Sequence, residues 1–376
     1  MPAEFLYQEK AALDLTAETC QPCHSDIYNA YVETAHFKTS CLPSEQTIKG
    51  SFQKKKNVVR TSNPNTSFTM EARKDGFYQV SRWMEGSRKR TRRERFDIVL
   101  GSGRKGQSYL FWKEGFLYQL PISYLASIDQ WANSPGFIDG EVNLGRGIPP
   151  RCLECHSTHF ELSGTPDKPL YREDYQLGIT CAKCHGGGEQ HVEYHASNPS
   201  ATRAKFIINP RSFSRERQLD SCALCHSGIR EPIRPSFSYR PGEVLSHYLL
   251  PEPESASLKL DVHASQIGMI KKSACFSSGT MTCSTCHNVH RSEKDLAWMS
   301  KKCQFCHQSG HCSLNETVGT RIGDYCVACH MPDQESQVLS VNRSVESISP
   351  AYRNHVIAIY RDTTEKVLRQ LEKLRD

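Results

Sequence analysis

Cysteine and histidine recur in one fixed arrangement along this chain of 376 residues. Fourteen of its 17 cysteines fall in seven copies of Cys-x-x-Cys-His. Thiols and imidazoles at this spacing can bind a metal ion, form a redox-active dithiol or anchor a prosthetic group. The seven copies are Cys20, Cys23 and His24; Cys152, Cys155 and His156; Cys181, Cys184 and His185; Cys222, Cys225 and His226; Cys283, Cys286 and His287; Cys303, Cys306 and His307; Cys326, Cys329 and His330.

The histidine that ends every copy separates covalent haem attachment from the alternatives. Zinc knuckles and thioredoxin-like pairs share the Cys-x-x-Cys spacing but do not require histidine directly after the second cysteine. In a c-type haem site the two thiols add to the vinyl groups of one haem, and the adjacent imidazole becomes the proximal iron ligand. We therefore predict seven covalently bound c haems, with zinc or disulfides as the alternative.

Nine further histidines could supply the second axial ligand of the irons. They number close to one per haem, which favours bis-histidine ligation, and an iron with both axial positions filled is suited to electron transfer. The nine are His36, His159, His191, His195, His247, His263, His290, His311 and His355.

Electron transfer along closely spaced haems is the favoured function, with no catalytic residue predicted outside the haems. The chain contains no nucleophile elbow, HExxH motif or P-loop. The alternative is a multihaem reductase or oxidoreductase that acts on a small nitrogen or sulfur oxyanion at one haem with an open axial position. A self-assembling extracellular filament is a third hypothesis. The partners expected are unidentified redox proteins, with self-association also open.

Three cysteines lie outside the haem motifs: Cys41, Cys275 and Cys312. In an oxidising compartment thiols pair where they can reach each other. Cys275 and Cys312 both lie in the haem-dense part of the chain, whereas Cys41 follows the first haem. We predict a Cys275–Cys312 disulfide and a free Cys41, with three inert thiols as the alternative.

The formal net charge of +6 is a poor guide to partners. A ferric haem with neutral axial ligands and two ionised propionates carries about −1, so seven haems would bring the total to about −1. We therefore predict no nucleic-acid binding. No run reaches the ~18 apolar residues of a spanning helix, so no transmembrane segment is expected.

The haem motifs are spaced unevenly, which predicts four segments. Residues 1–50 carry haem 1, 51–150 form an antiparallel β insert without haem, 151–345 form a six-haem domain of loops and short helices, and 346–376 form a C-terminal helix that carries a candidate distal histidine. The fold class expected is α+β with low regular secondary structure, packed around haems. Helices are predicted at Ser25–Thr39, Arg291–Gln304 and Asn354–Leu374, and strands at Asn57–Thr61, Ser67–Glu71, Phe77–Trp83, Arg95–Leu100, Ser108–Trp112 and Phe116–Leu120.

Two motifs in the β insert have simple interpretations. Residues Gly101, Gly103 and Gly106 match the dinucleotide pattern G-x-G-x-x-G, but a β-type run follows where a helix is needed, so a glycine-rich turn is favoured. The basic run from Arg82 to Arg95 is interpreted as a solvated hairpin, or as a dock for an acidic redox partner or haem propionates.

Several elements make the chain resemble multihaem cytochromes c related to the cytochrome c-554 group. Gly186–Val192 resembles the CHGPGxxHV element, and Cys286–His290 resembles CHxPH with Val289 in place of proline. Cys329–Pro332 resembles the closing CHMP element, and Thr34–His36 resembles a distal-histidine segment after the first haem. The resemblance implies distal ligation by His36, His191, His263, His290, His311 and His355, while His195, His247 and His159 compete for the seventh place.

Haem attachment of this kind is completed outside the cytoplasm. The first residues, Met1–Phe5, contain neither a basic region nor an apolar segment typical of a signal peptide. We therefore expect an exported bacterial protein, periplasmic, extracellular or on the cell surface, whose signal lies outside this numbering.

Overall fold

The computed structural model describes residues 16–165, 168–251, 260–277, 279–292, 295–308, 312–343 and 346–373. It is a mixed helix-and-sheet protein with several small antiparallel sheets. The strands lie mainly between residues 40 and 177, and the helices are short. This agrees with the predicted class at the level of mixed α and β structure.

Two antiparallel sheets form the β-rich part. The first is a meander of β2 (Val58–Arg60), β3 (Ser67–Arg73), β4 (Gly76–Glu85) and β5 (Arg88–Arg95). The second contains six strands, with β1–β6–β7–β9–β10 in spatial order and β8 paired with β7. Its members are β1 (Ser40–Cys41), β6 (Ile98–Leu100), β7 (Gly106–Lys113), β8 (Phe116–Gln119), β9 (Ile122–Leu125) and β10 (Gln130–Asn133).

Alternating apolar residues of the two sheets build an aromatic core. Phe96 and Tyr109 stack with ring centroids 4.3 Å apart, and Trp131 packs against both. Phe68 and Met70 of β3 join them from the meander. This core explains why most of the segments that were predicted as strands form strands in the structure. Strands β9 and β10 were not predicted from the sequence.

Strand β5 belongs to the basic run and has no apolar alternation. It pairs with β4 along its whole length, from Arg95 opposite Tyr78 to Arg88 opposite Glu85. Several of its cations are neutralised on the same surface: Arg90 pairs with Glu85, and Glu71 lies near Arg93. The run is therefore an exposed hairpin strand, as the simpler interpretation predicted.

A long hairpin adds strands to residues 151–345, which were expected to consist largely of loops and short helices. Strands β11 (Ser157–Thr165) and β12 (Lys168–Leu177) pair antiparallel between the second and third motifs. Phe160 and Tyr171 of this hairpin share a buried cluster with Ile98 and Leu110 of the β-rich part. The hairpin forms because its apolar face completes that core. The four-segment division stays a prediction.

The helices are brief, and five of the described α-helices contain both cysteines of a haem motif. Described α-helices span Ser25–Tyr31, Pro150–His156, Cys181–His185, Glu189–Ser197, Arg215–His226, Gln266–Ile270, Ala274–Ser277, Cys283–Cys286, Leu296–Gln304, Asn315–Val318, Cys326–His330 and Arg361–Glu372. Short 3₁₀ turns span Ala17–Cys20, Phe37–Thr39, Pro210–Ser212, Leu245–His247 and Thr320–Tyr325. The remaining strands, β13 to β16, span Asp333–Glu335, Val341–Arg343, Glu346–Ile348 and Ala351–Arg353.

The C-terminal helix begins at Arg361, so the prediction that it carries His355 is wrong. Residues 354–358 instead form a strap tied to other parts of the chain. Asn354 N donates to Pro332 O, Ile357 N to Ser273 Oγ and Ala358 N to His330 O. These bonds use backbone groups that a helix would otherwise satisfy internally.

Candidate haem-binding sites

Several motifs lie on a helical turn that brings their two thiols to one face. In Cys181–His185 and Cys326–His330 the whole motif is one short helix, while Arg215–His226 ends with the motif. Residues three apart on a helix are neighbours on its surface. The local structure therefore suits attachment of both cysteines to one porphyrin edge, with the histidine beside it.

Four motif histidines each face a histidine from outside the motifs. The ring centroids of His24 and His191 are 6.4 Å apart, and those of His185 and His290 are 6.0 Å apart; both pairs are nearly parallel. The rings of His36 and His226 are 6.0 Å apart at 83°, and those of His287 and His355 are 6.3 Å apart at 34°.

These separations fit one iron between two imidazoles. A metal–nitrogen bond of about 2 Å and the distance from the nitrogen to the ring centre place two trans imidazole centres roughly 6.3 Å apart. A direct aromatic contact can have the same centroid distance. What distinguishes the four pairs is that each combines one motif histidine with one predicted distal histidine. The residues present therefore fit bis-histidine haem.

Hydrogen bonds at Nδ1 leave Nε2 of several of these histidines available for a metal. His185 Nδ1 donates to Ile208 O (2.8 Å), and His330 Nδ1 donates to Ala358 O (2.8 Å). On the predicted distal side, His191 Nδ1 donates to Lys205 O (2.8 Å) and His355 Nδ1 to Arg353 O (3.0 Å). Such bonds fix the tautomer and ring orientation of metal-bound histidines.

Two more motif histidines have side-chain partners at Nδ1. His156 Nδ1 lies 2.9 Å from Thr39 Oγ1, and His226 Nδ1 lies 3.1 Å from Gln266 Oε1. No signal in the sequence singled out Thr39 for this role, because it is 117 residues from His156.

Burial keeps many of these imidazoles neutral. It lowers the pKa of His36, His156 and His355 to about 4. Burial also lowers the pKa of His226 and His290. A neutral imidazole offers the lone pair that metal ligation requires.

The remaining predicted distal histidines have different surroundings. His263 is half-buried and interacts electrostatically with His226, and His156 interacts electrostatically with His263. His311 lies outside the described residues. His159 packs its ring against Phe237, and His247 is exposed at the end of a 3₁₀ turn. His195 stands 4.7 Å from His191, centroid to centroid, on the same helix.

Thiols of different motifs meet in space. Hydrogen bonds join Cys20 to Cys181, Cys155 to Cys225, Cys222 to Cys283, and Cys303 to Cys326. Electrostatic interaction with Cys184 raises the pKa of Cys222, and interaction with Cys286 raises the pKa of Cys303. These hydrogen bonds and electrostatic interactions together link all seven motifs. Within the described ranges, no three His, Cys, Asp or Glu side chains come together as a metal site. A structural zinc ion usually needs four such ligands.

The two cysteines of the predicted disulfide, Cys275 and Cys312, carry free thiols in the structure. Cys275 interacts electrostatically with Cys303, and Cys312 with Cys329. Their pairing stays a prediction. We expect a Cys275–Cys312 bond to stabilise the fold by roughly 3–4 kcal/mol through loop closure. Peptide mapping of unreduced, denatured protein checks it, and alkylation of both thiols there would exclude it.

The glycine-rich segment runs directly into strand β7, with no helix after it. This excludes the strand–turn–helix geometry that a dinucleotide fingerprint requires.

None of the helices in the described part of the chain is long and apolar enough to span a bilayer.

Comparisons with known proteins found similarity to cytochromes c. Residues 136–186, which include the second and third motifs, match the family of cytochrome c554 and c-prime. The C-type polyheme cytochrome OmcC of Geobacter sulfurreducens is 24% identical over 212 residues. That alignment covers 46% of this chain and 26% of OmcC, so it spans about a quarter of the relative.

The fold is similar to that of a solved cytochrome. The outer cell wall cytochrome OcwA superposes with a TM-score of 0.55 at 15% identity, covering 93% of this chain and 80% of that one. An undecaheme cytochrome from the S-layer of Carboxydothermus ferrireducens aligns with a TM-score of 0.41, 15% identity, and coverage of 89% and 53%. The family match and the similarity to OmcC confirm the resemblance to multihaem cytochromes c, and haem c is the cofactor expected for such proteins.

Proposed function

We propose that this protein is an electron-transfer cytochrome that carries seven covalent c haems, most of them with two histidine ligands. The observation that carries the proposal is the set of four histidine pairs, His24–His191, His36–His226, His185–His290 and His287–His355, each at the separation that an iron requires. Haem supplies the one-electron chemistry when it is bound. The chain positions the irons and fills their axial sites.

Contacts between motifs support a continuous path for electrons. Haems attached to thiols in contact have their porphyrin edges close together. Numbered in chain order, the motifs with hydrogen-bonded thiols are 1 and 3, 2 and 4, 4 and 5, and 6 and 7. Electrostatic interactions between thiols link motif 3 to motif 4 and motif 5 to motif 6. In this proposal electrons pass from haem to haem, and unidentified redox proteins deliver and accept them at the surface.

Axial ligation by two histidines leaves no position for a substrate. The four pairs therefore favour transfer over reduction of an oxyanion, and none of the comparisons supports the reductase alternative. A location outside the cytoplasm, periplasmic or at the cell surface, is part of the proposal. It rests on the covalent haem chemistry and on the similarity to a cytochrome described as belonging to the outer cell wall.

The haem number is tested by mass. We expect the denatured protein to weigh as much as the polypeptide plus seven haems, because thioether bonds survive denaturation. Peptide mapping should place one haem on each motif. A mass that corresponds to six or fewer haems would contradict the predicted stoichiometry.

The axial ligands are tested by electron paramagnetic resonance and carbon monoxide. We expect low-spin iron at six or seven haems in the oxidised protein, and less than one carbon monoxide bound per reduced chain. The physical reason is that two imidazoles saturate each iron. A strong high-spin signal together with stoichiometric carbon monoxide uptake would favour the enzymatic alternative instead.

A further inference from the structure

The glycine-rich loop between β6 and β7 has no role in the function proposed so far, yet its conformation is tightly specified. Gly101 has a φ of +110°, and a Cβ there would lie 2.6 Å from Gly106 O. A Cβ on Gly106 would lie 2.7 Å from Tyr124 O. Only glycine fits such close backbone approaches. The loop therefore holds Ser102 to Lys105 in a defined position.

The loop is tied to the segment that carries His36. Gly101 N donates to Thr39 O (2.6 Å). Arg104 Nη2 donates to Ser292 Oγ (2.6 Å), and Ser292 Oγ in turn donates to Glu33 O (3.0 Å). Glu33 and Thr39 lie three residues before and after His36. These hydrogen bonds tie the Arg104 guanidinium to the segment that carries His36.

The charge of Arg104 has no acidic partner in the described part of the chain. Its guanidinium makes no ion pair with a described carboxylate, in contrast to several arginines of β4 and β5. Its side chain is exposed and interacts electrostatically with His36. Guanidinium has five N–H donors in a planar fork that matches a carboxylate. The site therefore offers an oriented cation with N–H donors that remain available for a carboxylate.

We propose that Arg104 is the charge partner of a propionate on the haem held between His36 and His226. This inference rests on the proposed function, since it requires haem at that histidine pair. A propionate is the carboxylate that such a haem would bring to this place. A fixed positive charge also favours the ferrous form, which carries one positive charge less than the ferric form. Arg104 is therefore a positioning residue that raises the reduction potential of this haem.

Potentiometric titration of the holoprotein, followed optically and by paramagnetic resonance, tests the assignment. For Arg104→Gln we expect one haem to become harder to reduce, with about a tenfold change in its redox equilibrium constant, or 59 mV for one electron. Arg88→Gln is the matched control, because it removes one positive charge from exposed strand β5. It should leave all potentials unchanged. Ser292→Ala should give a smaller shift of the same sign as Arg104→Gln.

Two further measurements keep the outcomes distinct. Arg104→Lys keeps the charge and should retain most of the potential, so a shift as large as that of Arg104→Gln would overturn the role of charge. Haem content per motif, measured by peptide mapping on the same samples, tests the premise separately. Absence of haem from the His226 motif of the wild type would contradict the proposed function. Full haem content with unshifted potentials in Arg104→Gln would overturn the Arg104 assignment alone.

Discussion

Replacement of His191 by alanine is expected to convert one haem per chain from low spin to high spin. His191 stands 6.4 Å from His24 with its ring nearly parallel, and the Lys205 carbonyl holds its Nδ1. Alanine cannot ligate iron, so one axial position opens. Carbon monoxide uptake by the reduced protein should rise by about one equivalent relative to the wild type, measured together with the high-spin resonance of the oxidised form.

His195 provides a matched control on the same helix, Glu189–Ser197. It lies one helical turn beyond His191, and its Nε2 is buried without a hydrogen-bond partner among the described residues. We expect His195→Ala to leave the haem of the His24 motif low-spin and closed to carbon monoxide, because His191 remains opposite His24. The reverse pattern, with high-spin iron only in His195→Ala, would transfer the ligand role to His195.

Arg151→Met is expected to destabilise the protein by about 3–5 kcal/mol, the usual cost of leaving one member of a buried ion pair uncompensated. Arg151 Nη1 and Glu154 Oε2 are 2.9 Å apart, and their side chains are only 9% and 4% exposed. Arg151 Nη2 also donates to Leu224 O, so the pair joins the second motif to the fourth. The measurement is chemical denaturation of the haem-loaded protein, followed by circular dichroism.

A double variant and a surface pair complete this test. Arg151→Met with Glu154→Met removes both charges and should recover much of the lost stability, since apolar replacement of a buried pair is often neutral. Arg369→Ala breaks an ion pair at the surface, in which the side chains of Arg369 and Glu365 are each about two-thirds exposed. It should change the free energy of unfolding by about 0–1 kcal/mol. An equally small effect of Arg151→Met would show that the buried pair is not needed for stability.

The sequence by itself determined the chemistry that is local along the chain. Covalent haem attachment requires two thiols and an imidazole within five consecutive residues, so the seven motifs can be identified without a fold. Strand β3 was also predictable, because its buried side chains alternate with more exposed ones. Strand β7 was predictable from its run of residues that favour strands, and its Tyr109, Leu110 and Phe111 are all buried. Strand β5 has no such alternation, and only the run of cations marked it as a hairpin.

Tertiary structure alone decided which histidines face each other. His24 and His191, or His36 and His226, are distant in sequence, and no local pattern links them. Their meeting depends on long-range packing, as does the strap of residues 354–358 that the C-terminal helix was expected to include. The contact of Arg104 with Ser292 likewise joins two distant loops. Periodicity and spacing report on neighbours along the chain, whereas these contacts form only when separate elements bury their apolar faces together.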